Sequence, residues 1–517
     1  MSATRFSHSK KHKLSDLKLR MTSISLKSQV SSLPLRLIPI FLMMIVLGAS
    51  LAFYSDSQLL ILPFLAAMVL ATFTAMDYTL YIMVASLPFS FRFIFAHGTE
   101  MQFPAEPLLA IMSAALILRW VIMGRKGVLV KFPFRLPMLL YIASLYLSMI
   151  NVGQLYYSVK GSIRAVIYMM LALVVFHVIT DRRRLKWLFI ASVVPAIVAV
   201  GWTMISLIDR LSIWRWSSAY EGLLFTSYIH YGSFVAVIFL ILLGRSLFDK
   251  GKYDRVAWKL LLVFYGMAIC LSFSRGVWLS LIASLGFLLV QKSSGIKQKK
   301  VFIVGGAVAF FAIVLSIPYA SNLLISRIQT MTNFGYASNK TRILRWGFAL
   351  VMFLRHPIIG NGYNSFKFTY VNNPNILGPY LSQFRMGAHN EYLQTLAEMG
   401  LIGFFAWMWI IVSFFRYGFG LLRKLKSAEE QSAEEHQGTG SDPNAPAIPR
   451  STISTPYSFY RSIVIGVMAA EFSLLVHFLV NNLIQTHIVG IPFWLLIGIL
   501  PTIGNILEKE SKPPAKA

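Results

Sequence analysis

Between residues 321 and 390 the chain carries seven basic residues (Arg327, Lys340, Arg342, Arg345, Arg355, Lys367 and Arg385) and neither Asp nor Glu. A merely solvated loop mixes both signs, so a wholly cationic stretch favours an anionic ligand. Phosphate or diphosphate on a lipid fits the fork of an arginine. A basic loop resting on lipid headgroups would carry the same charge. Within it, residues 339–355 read as an amphipathic helix whose apolar side is Ile343, Leu344, Trp346, Phe348, Leu350, Val351 and Leu354. Arg342 and Arg345, three apart, share a face. Pro357 stops the helix at His356, and Gly360, Asn361 and Gly362 make a turn, which implies a helix lying flat at a membrane interface and presenting arginines.

Two further segments hold groups suited to chemistry. SFSRGVW (272–278) falls in a break between two apolar runs. An arginine at that depth is expensive, and it is either functional or snorkelling to the interface; the functional reading of Arg275 is a second diphosphate contact. GAHNEYLQTLAEMGLIG (387–403) is where the loop returns to apolar sequence, with His389 at or near the start of a helix. There the helix dipole disfavours imidazolium and keeps the ring able to accept a proton, as a general base must near neutral pH. One histidine among ten is more often structural.

The elements that position these groups are membrane spans. The chain of 517 residues is 56% hydrophobic and 13% charged, half the charge of about 25% usual in soluble domains. Its apolar residues recur in runs near the ~20 residues that a bilayer core requires. This excludes one large soluble domain, a disulfide scaffold (Cys270 is the single cysteine) and a disordered protein. About fourteen spans are expected, near 36–55, 58–76, 78–95, 104–123, 134–151, 162–180, 186–207, 226–244, 256–273, 275–291, 301–320, 397–416, 462–482 and 486–507. The third is the weakest, since Pro88 and Arg92 fall inside it. With the N-terminus inside, every short basic loop (at 125–131, 182–186, 250–255, 292–300 and 423–426) falls on the cytoplasmic side, as the positive-inside rule demands. Both termini are then cytoplasmic and the 321–390 loop is extracytoplasmic.

The basic tail 1–35 has no early apolar core, so it reads as a retention signal and not a cleavable signal peptide; a nucleic-acid role is set aside. The expected organisation is tail 1–35, N-terminal spans 36–257, a catalytic region 258–416, a disordered cytoplasmic linker 417–461, last spans 462–507 and tail 508–517. Most of the net charge of +28 sits in tails and cytoplasmic loops, where it orients the chain. The seven charges of 321–390, beside Arg275 and His389, then read as one local site.

In order, S-x-S-R-G-x-W (272–278), R-x-x-x-W (342–346) with H-P-x-x-G-x-G (356–362), and H-N-x-x-L-x-x-x-x-E-x-G-x-x-G (389–403) resemble the O-antigen ligase/O-antigen polymerase superfamily over about residues 258–410. The segment 227–234 resembles a further block but lacks its Asn-Pro-Asn. The resemblance implies an all-α, GT-C-like membrane glycosyltransferase in a bacterial plasma membrane, without cofactor or nucleotide-sugar site. Its donor would be a glycan on undecaprenyl diphosphate, and its acceptor a sugar hydroxyl on a glycan or lipid core. His389 matches the family's base, and Arg275 and Arg342 its diphosphate-binding arginines. Arg345 is added from the shared helix face, with Ser274, Trp346, Asn390 and Glu398 in supporting places. A loop offering guanidiniums and no carboxylates predicts metal independence, and single displacement predicts inversion.

Polymerase, ligase and protein oligosaccharyltransferase share this donor and base, and short motifs do not separate them. Polymerase is preferred only because it occurs in more envelope types. The rival class is a lipid-linked oligosaccharide transporter, for which Glu106, His177, Glu398, Glu471 and His477 are the ionisable residues in or near spans.

Overall fold

The computed structural model describes residues 62–95, 99–123, 131–208, 227–248, 255–290, 337–371, 386–438 and 456–511, with isolated positions at 210, 219, 220, 224, 225 and 329. In chain order the elements are α1 (Leu62–Thr74), α2 (Met76–Ser86), β1 (Phe91–Phe95), β2 (Thr99–Phe103), α3 (Ala105–Met123), α4 (Arg135–Leu147), α5 (Leu155–Val178), α6 (Arg182–Ile208), α7 (Tyr228–Phe248), α8 (Arg255–Leu271) and α9 (Arg275–Val290). There follow α10 (Ala337–Arg355), α11 (Phe366–Val371), α12 (Glu391–Gly438), α13 (Pro456–Phe478) and α14 (His487–Glu510). Helices α3, α5, α6, α7, α12, α13 and α14 are long and apolar enough to cross a membrane, and α8 and α9 are shorter apolar helices. The chain is thus a helical multi-pass membrane protein, with one β-hairpin among the described residues.

Burial sorts the helices into interior and rim. α13 and α14 are almost wholly buried; α13 packs mainly against α7 and α9, and α14 against α5. The α7–α13 crossing is close because it is made at glycine: a Cβ on Gly244 would stand 2.6 Å from the Gly466 main chain. Small residues serve that purpose where lipid gives no hydrophobic push between helices. α6 lies at the rim. Trp187, Ile190, Val194, Val198, Trp202, Ile205 and Ile208 form an exposed stripe at helical spacing, a surface suited to lipid.

Three expectations change. The run 78–95 is not one helix: α2 ends at Ser86, a short turn follows through Pro88, and Phe91–Phe95 pairs antiparallel with Thr99–Phe103. Pro88 supplies no N–H and ends the helix, and Arg92 pairs across the hairpin with Glu100 at 3.4 Å. Second, α12 runs on to Gly438, into the stretch read as linker. Residues 427–438 are rich in Ala, Glu and Gln, good helix formers, and Lys426 and Glu430 pair one turn apart at 3.6 Å.

Third, α10 is not a simple interfacial helix with one apolar face. It buries Phe348, Ala349 and Met352 against Phe366, Ala388 and Ala397, while Ile343, Leu344, Leu350, Val351 and Leu354 stay exposed on its other side. The tail 1–35, the runs 36–55 and 301–320, and residues 439–455 lie outside the described residues, as do the basic positions 125, 126, 250, 252 and 292–300.

Candidate functional site

Two of the sequence blocks lock together through the main chain. At Gly400 α12 kinks, with φ 61, so that its first turns (391–399) stand apart from the long membrane helix. The turn after α10 fits into this break. Gly362 N–H donates to the Glu398 carbonyl at 2.9 Å, Leu401 N–H to the Pro357 carbonyl at 2.9 Å, and Ile402 N–H to the Ile358 carbonyl at 3.2 Å. Gly360 (φ 78) and Gly400 need left-handed backbone, and a Cβ on either would overlap the partner strand of chain. Asn361 Nδ2 donates to the carbonyls of Met352 and Ala397, both at 2.8 Å.

Glu398 is buried beneath this turn. Its carboxylate accepts the N–H of Asn364 at 2.8 Å, the N–H of Phe366 at 3.0 Å and Gln394 Nε2 at 3.3 Å. Glu391 does the same for the turn between α13 and α14, accepting Leu483 N–H at 2.8 Å. Both acids of the third block therefore hold main chain. Asn390 caps α12: its Oδ1 accepts Leu393 N–H at 3.0 Å, and its Nδ2 donates to the Leu479 carbonyl at 2.9 Å.

The interlock carries α10 to His389. Arg345 is buried and Arg342 half-buried on the inner side of α10, close enough to act on the histidine through space. Arg275, the first residue of α9, reaches the same place and acts on Arg342. Ser274 is buried just ahead of α9, where its carbonyl accepts the Trp278 N–H at 3.1 Å. Trp346 is half-buried, with its indole N–H lacking an acceptor among the described residues.

Burial pushes the Arg342 guanidinium down from its ordinary value, and the charges of Arg275 and Arg345 push in the same direction. Burial, then Arg342, then Arg345, push His389 down to about 4, while the Asn481 side chain alone pulls it up. The ring is neutral at neutral pH. An anion placed among the three guanidiniums would relieve their mutual repulsion.

His389 sits in left-handed backbone (φ 53), and its N–H donates to Asn482 Oδ1 at 3.0 Å. Behind it lies a chain of residues not joined to the site by sequence, where His477 figures only in the transport alternative. Ser233 donates its hydroxyl hydrogen to the Ile229 carbonyl at 2.7 Å, so it accepts from His477 Nδ1 at 3.0 Å. That leaves His477 Nε2 as an acceptor for Asn481 Nδ2 at 2.8 Å. Asn481 Oδ1 is buried, has no hydrogen-bond partner at normal distance among the described residues, and belongs to the side chain beside His389. A Cβ on Gly276 would come 2.7 Å from the His477 ring, which explains the glycine following Arg275. A pair of asparagines between two apolar runs was the available signal.

The loop's charges do not form one site. Arg342 and Arg345 join His389; Lys340 and Arg355 are exposed; Lys367 is half-buried elsewhere, its ammonium pushed down by burial. Arg327 and Arg385 lie outside the described residues. No group of three or more His, Cys, Asp or Glu side chains is arranged to hold a metal ion among the described residues. No curated protein matches the chain. The family model described as O-antigen ligase matches residues 260–408, a segment that contains Arg275, Arg342, Arg345 and His389 but neither His477 nor Asn481. That match supports membership of the O-antigen ligase/polymerase superfamily and, in general terms, glycan transfer of the kind that family carries out.

Proposed function

We propose that this chain moves a glycan from undecaprenyl diphosphate to a sugar hydroxyl at the extracytoplasmic face of a bacterial plasma membrane, polymerising surface-polysaccharide repeats. Ligation to a lipid core, or transfer to protein, is the alternative for the same donor and base. The observation that carries this reading is the placing of Arg342 and Arg345 beside a histidine that burial keeps neutral, with Arg275 close to Arg342.

In the proposed reaction, His389 takes the proton of the acceptor hydroxyl as its oxygen attacks the anomeric carbon. The bond from that carbon to the diphosphate breaks, and the departing oxygen keeps the electron pair. The guanidiniums meet the charge that develops there without reorganising. One displacement inverts the anomeric carbon. With cations already at the leaving group and the nearby carboxylates of Glu391 and Glu398 holding main chain, the reaction proceeds without a metal ion.

The same reading takes residues 258–416 as the catalytic region of a GT-C-like bundle of membrane helices with both termini cytoplasmic. The two ends of the helices support this orientation. Arg182 and Arg245 lie over the Phe459 ring, and Arg461 pairs with Glu429 at 3.1 Å. His477 stands sixteen residues further along α13, about 24 Å away at helical rise.

The full-length protein in proteoliposomes, given a lipid-diphosphate oligosaccharide donor and an acceptor, should transfer glycan, and His389→Ala should lower the rate by at least ~100-fold. EDTA should leave the rate unchanged. Full turnover by His389→Ala would remove the base assignment, and EDTA inhibition reversed by Mg²⁺ would remove metal independence. In a deletion strain, single repeats left on carrier or acceptor mean polymerase, while full-length chains on the carrier mean ligase. A transport reading draws on Glu471, buried in α13 with neither carboxyl oxygen partnered among the described residues. It gains if His389→Ala leaves glycan assembly intact and Glu471→Ala abolishes it.

A further inference from the structure

A cavity of about 230 Å³ lies beside the 386–394 segment, walled by residues other than His389 and the three arginines. Tyr141 of α4 and Trp494 of α14 form one corner, with ring centroids 6.3 Å apart and planes inclined at 47°. Asn482 and Gln485, from the turn between α13 and α14, supply amides, and Arg164 and Lys367 complete the polar wall. Its size is just below the range of about 300–1,000 Å³ usual for small-molecule pockets, which suits one compact ring and excludes an extended chain.

The chemistry of the wall separates this cavity from the guanidinium cluster. Arg164 is paired with Glu106 at 3.2 Å, so of the two cations in the wall one is already matched by an acid. Aromatic faces with amide donors and acceptors suit a polyhydroxylated ring, whose C–H faces lie on the aromatics while its hydroxyls exchange hydrogen bonds with the amides. The Nε2 of Gln485 is buried and makes no hydrogen bond of normal length among the described residues; it faces the Tyr363 hydroxyl, another group of the same wall, so a sugar hydroxyl entering there would meet both. The cavity is also tied to the proposed base. Asn482, which lines it, accepts the His389 N–H at 3.0 Å, and Gln394, another wall residue, accepts the Ala388 N–H at 3.0 Å.

We propose that this cavity seats a sugar ring of the acceptor glycan and so sets which acceptor hydroxyl is presented to His389. The inference rests on the glycan-transfer reading, for which it supplies the acceptor's seat. The probe is a repeat-unit oligosaccharide, free of carrier, released from the producing cell's own surface polysaccharide. Binding is measured by calorimetry on the full-length His389→Ala protein in nanodiscs, alone and with Gln485→Ala, Gln485→Glu or Trp494→Leu added. Turnover is measured on the same three cavity substitutions made in the wild-type background.

Losing one donor or one stacking face should weaken oligosaccharide binding and raise the acceptor KM by about tenfold, with the donor KM unchanged. Gln485→Glu keeps the side chain's size while removing the donor, so it tests the proposal even if Trp494→Leu fails to fold. Unchanged oligosaccharide binding in Gln485→Ala and Gln485→Glu proteins that melt like their parent overturns the proposal, as does a rise confined to the donor KM. The two readings fail differently. Oligosaccharide binding that depends on Gln485, alongside transfer that survives His389→Ala, keeps the cavity and removes the base. Binding indifferent to Gln485, alongside transfer lost in His389→Ala, does the reverse.

Discussion

His389 has two proton affinities to be measured, one for the empty site and one for the site filled by a diphosphate. In the empty site, burial, Arg342 and Arg345 hold it near 4. The pH profile of kcat/KM, which reports the free enzyme, should therefore stay flat through 6.5 and fall only towards pH 4. A bound diphosphate offsets the guanidinium charge and favours imidazolium, so the acid limb of kcat should lie above that of kcat/KM. Asn481→Ala removes the neighbour that favours imidazolium, so it should lower the kcat/KM limb further. It should also slow kcat by about 10–100-fold through loss of positioning. An unmoved limb together with an unchanged rate would exclude Asn481 as a positioning residue.

The same depression has a stability sign. Unfolded His389 binds its proton near 6.5 and the folded ring near 4, so as pH falls through that window the unfolded state takes the proton first and the fold loses stability. The three arginines and His389 were legible in sequence because they are scarce, charged and set in short blocks. The link from them to Ser233, His477 and Asn481 was not, because each of these is one polar residue in or beside an apolar run, brought to the site only by the packing of α7 and α13.

At the scale of elements, the strength of the site lies in the interlock of the 356–362 turn with the break in α12. Glu398→Ala would leave the Asn364 and Phe366 N–H groups without their acceptor, at about 1–3 kcal/mol each. Glu398→Gln keeps one acceptor oxygen and should melt between Glu398→Ala and the wild type in a thermal unfolding series. Gly400→Ala puts a side chain at φ 61, ψ −164, a backbone region nearly reserved for glycine, at about 1–3 kcal/mol, together with overlap on the Ile358 carbonyl, so it should also melt early. A Gly400→Ala protein as stable as wild type would show that the kink is not required.

α10 was legible in sequence almost to its ends, since Pro357 marks its stop. The division of its apolar residues into an inner and an outer set was not, because lipid and protein interior select the same side chains. The hairpin was missed for a related reason: Phe91, Phe93 and Phe95 raise hydropathy whether they lie on a helix or alternate on a strand.

For the whole molecule, orientation is the testable property. In a Cys270→Ala background, Met386→Cys, exposed three residues ahead of His389, should react with an impermeant thiol reagent added outside intact cells. Lys426→Cys, near the opposite end of α12, should react only after permeabilisation. Labelling of both from the same side would overturn the orientation. The helical, multi-pass character was legible from composition alone, whereas the arrangement of helices was not, since it depends on close approaches such as Gly244 on Gly466. The hydrogen bonds from His389 to Asn482 and from Leu483 to Glu391 also bear on the order in which a ribosome delivers the parts. His389, the proposed base, leaves the ribosome with the matched segment, but the residues that hold it arrive some ninety positions later, with the α13–α14 hairpin. A nascent or truncated chain that already holds every recognisable block is expected to be inert, and glycan transfer begins only once α13 and α14 have inserted.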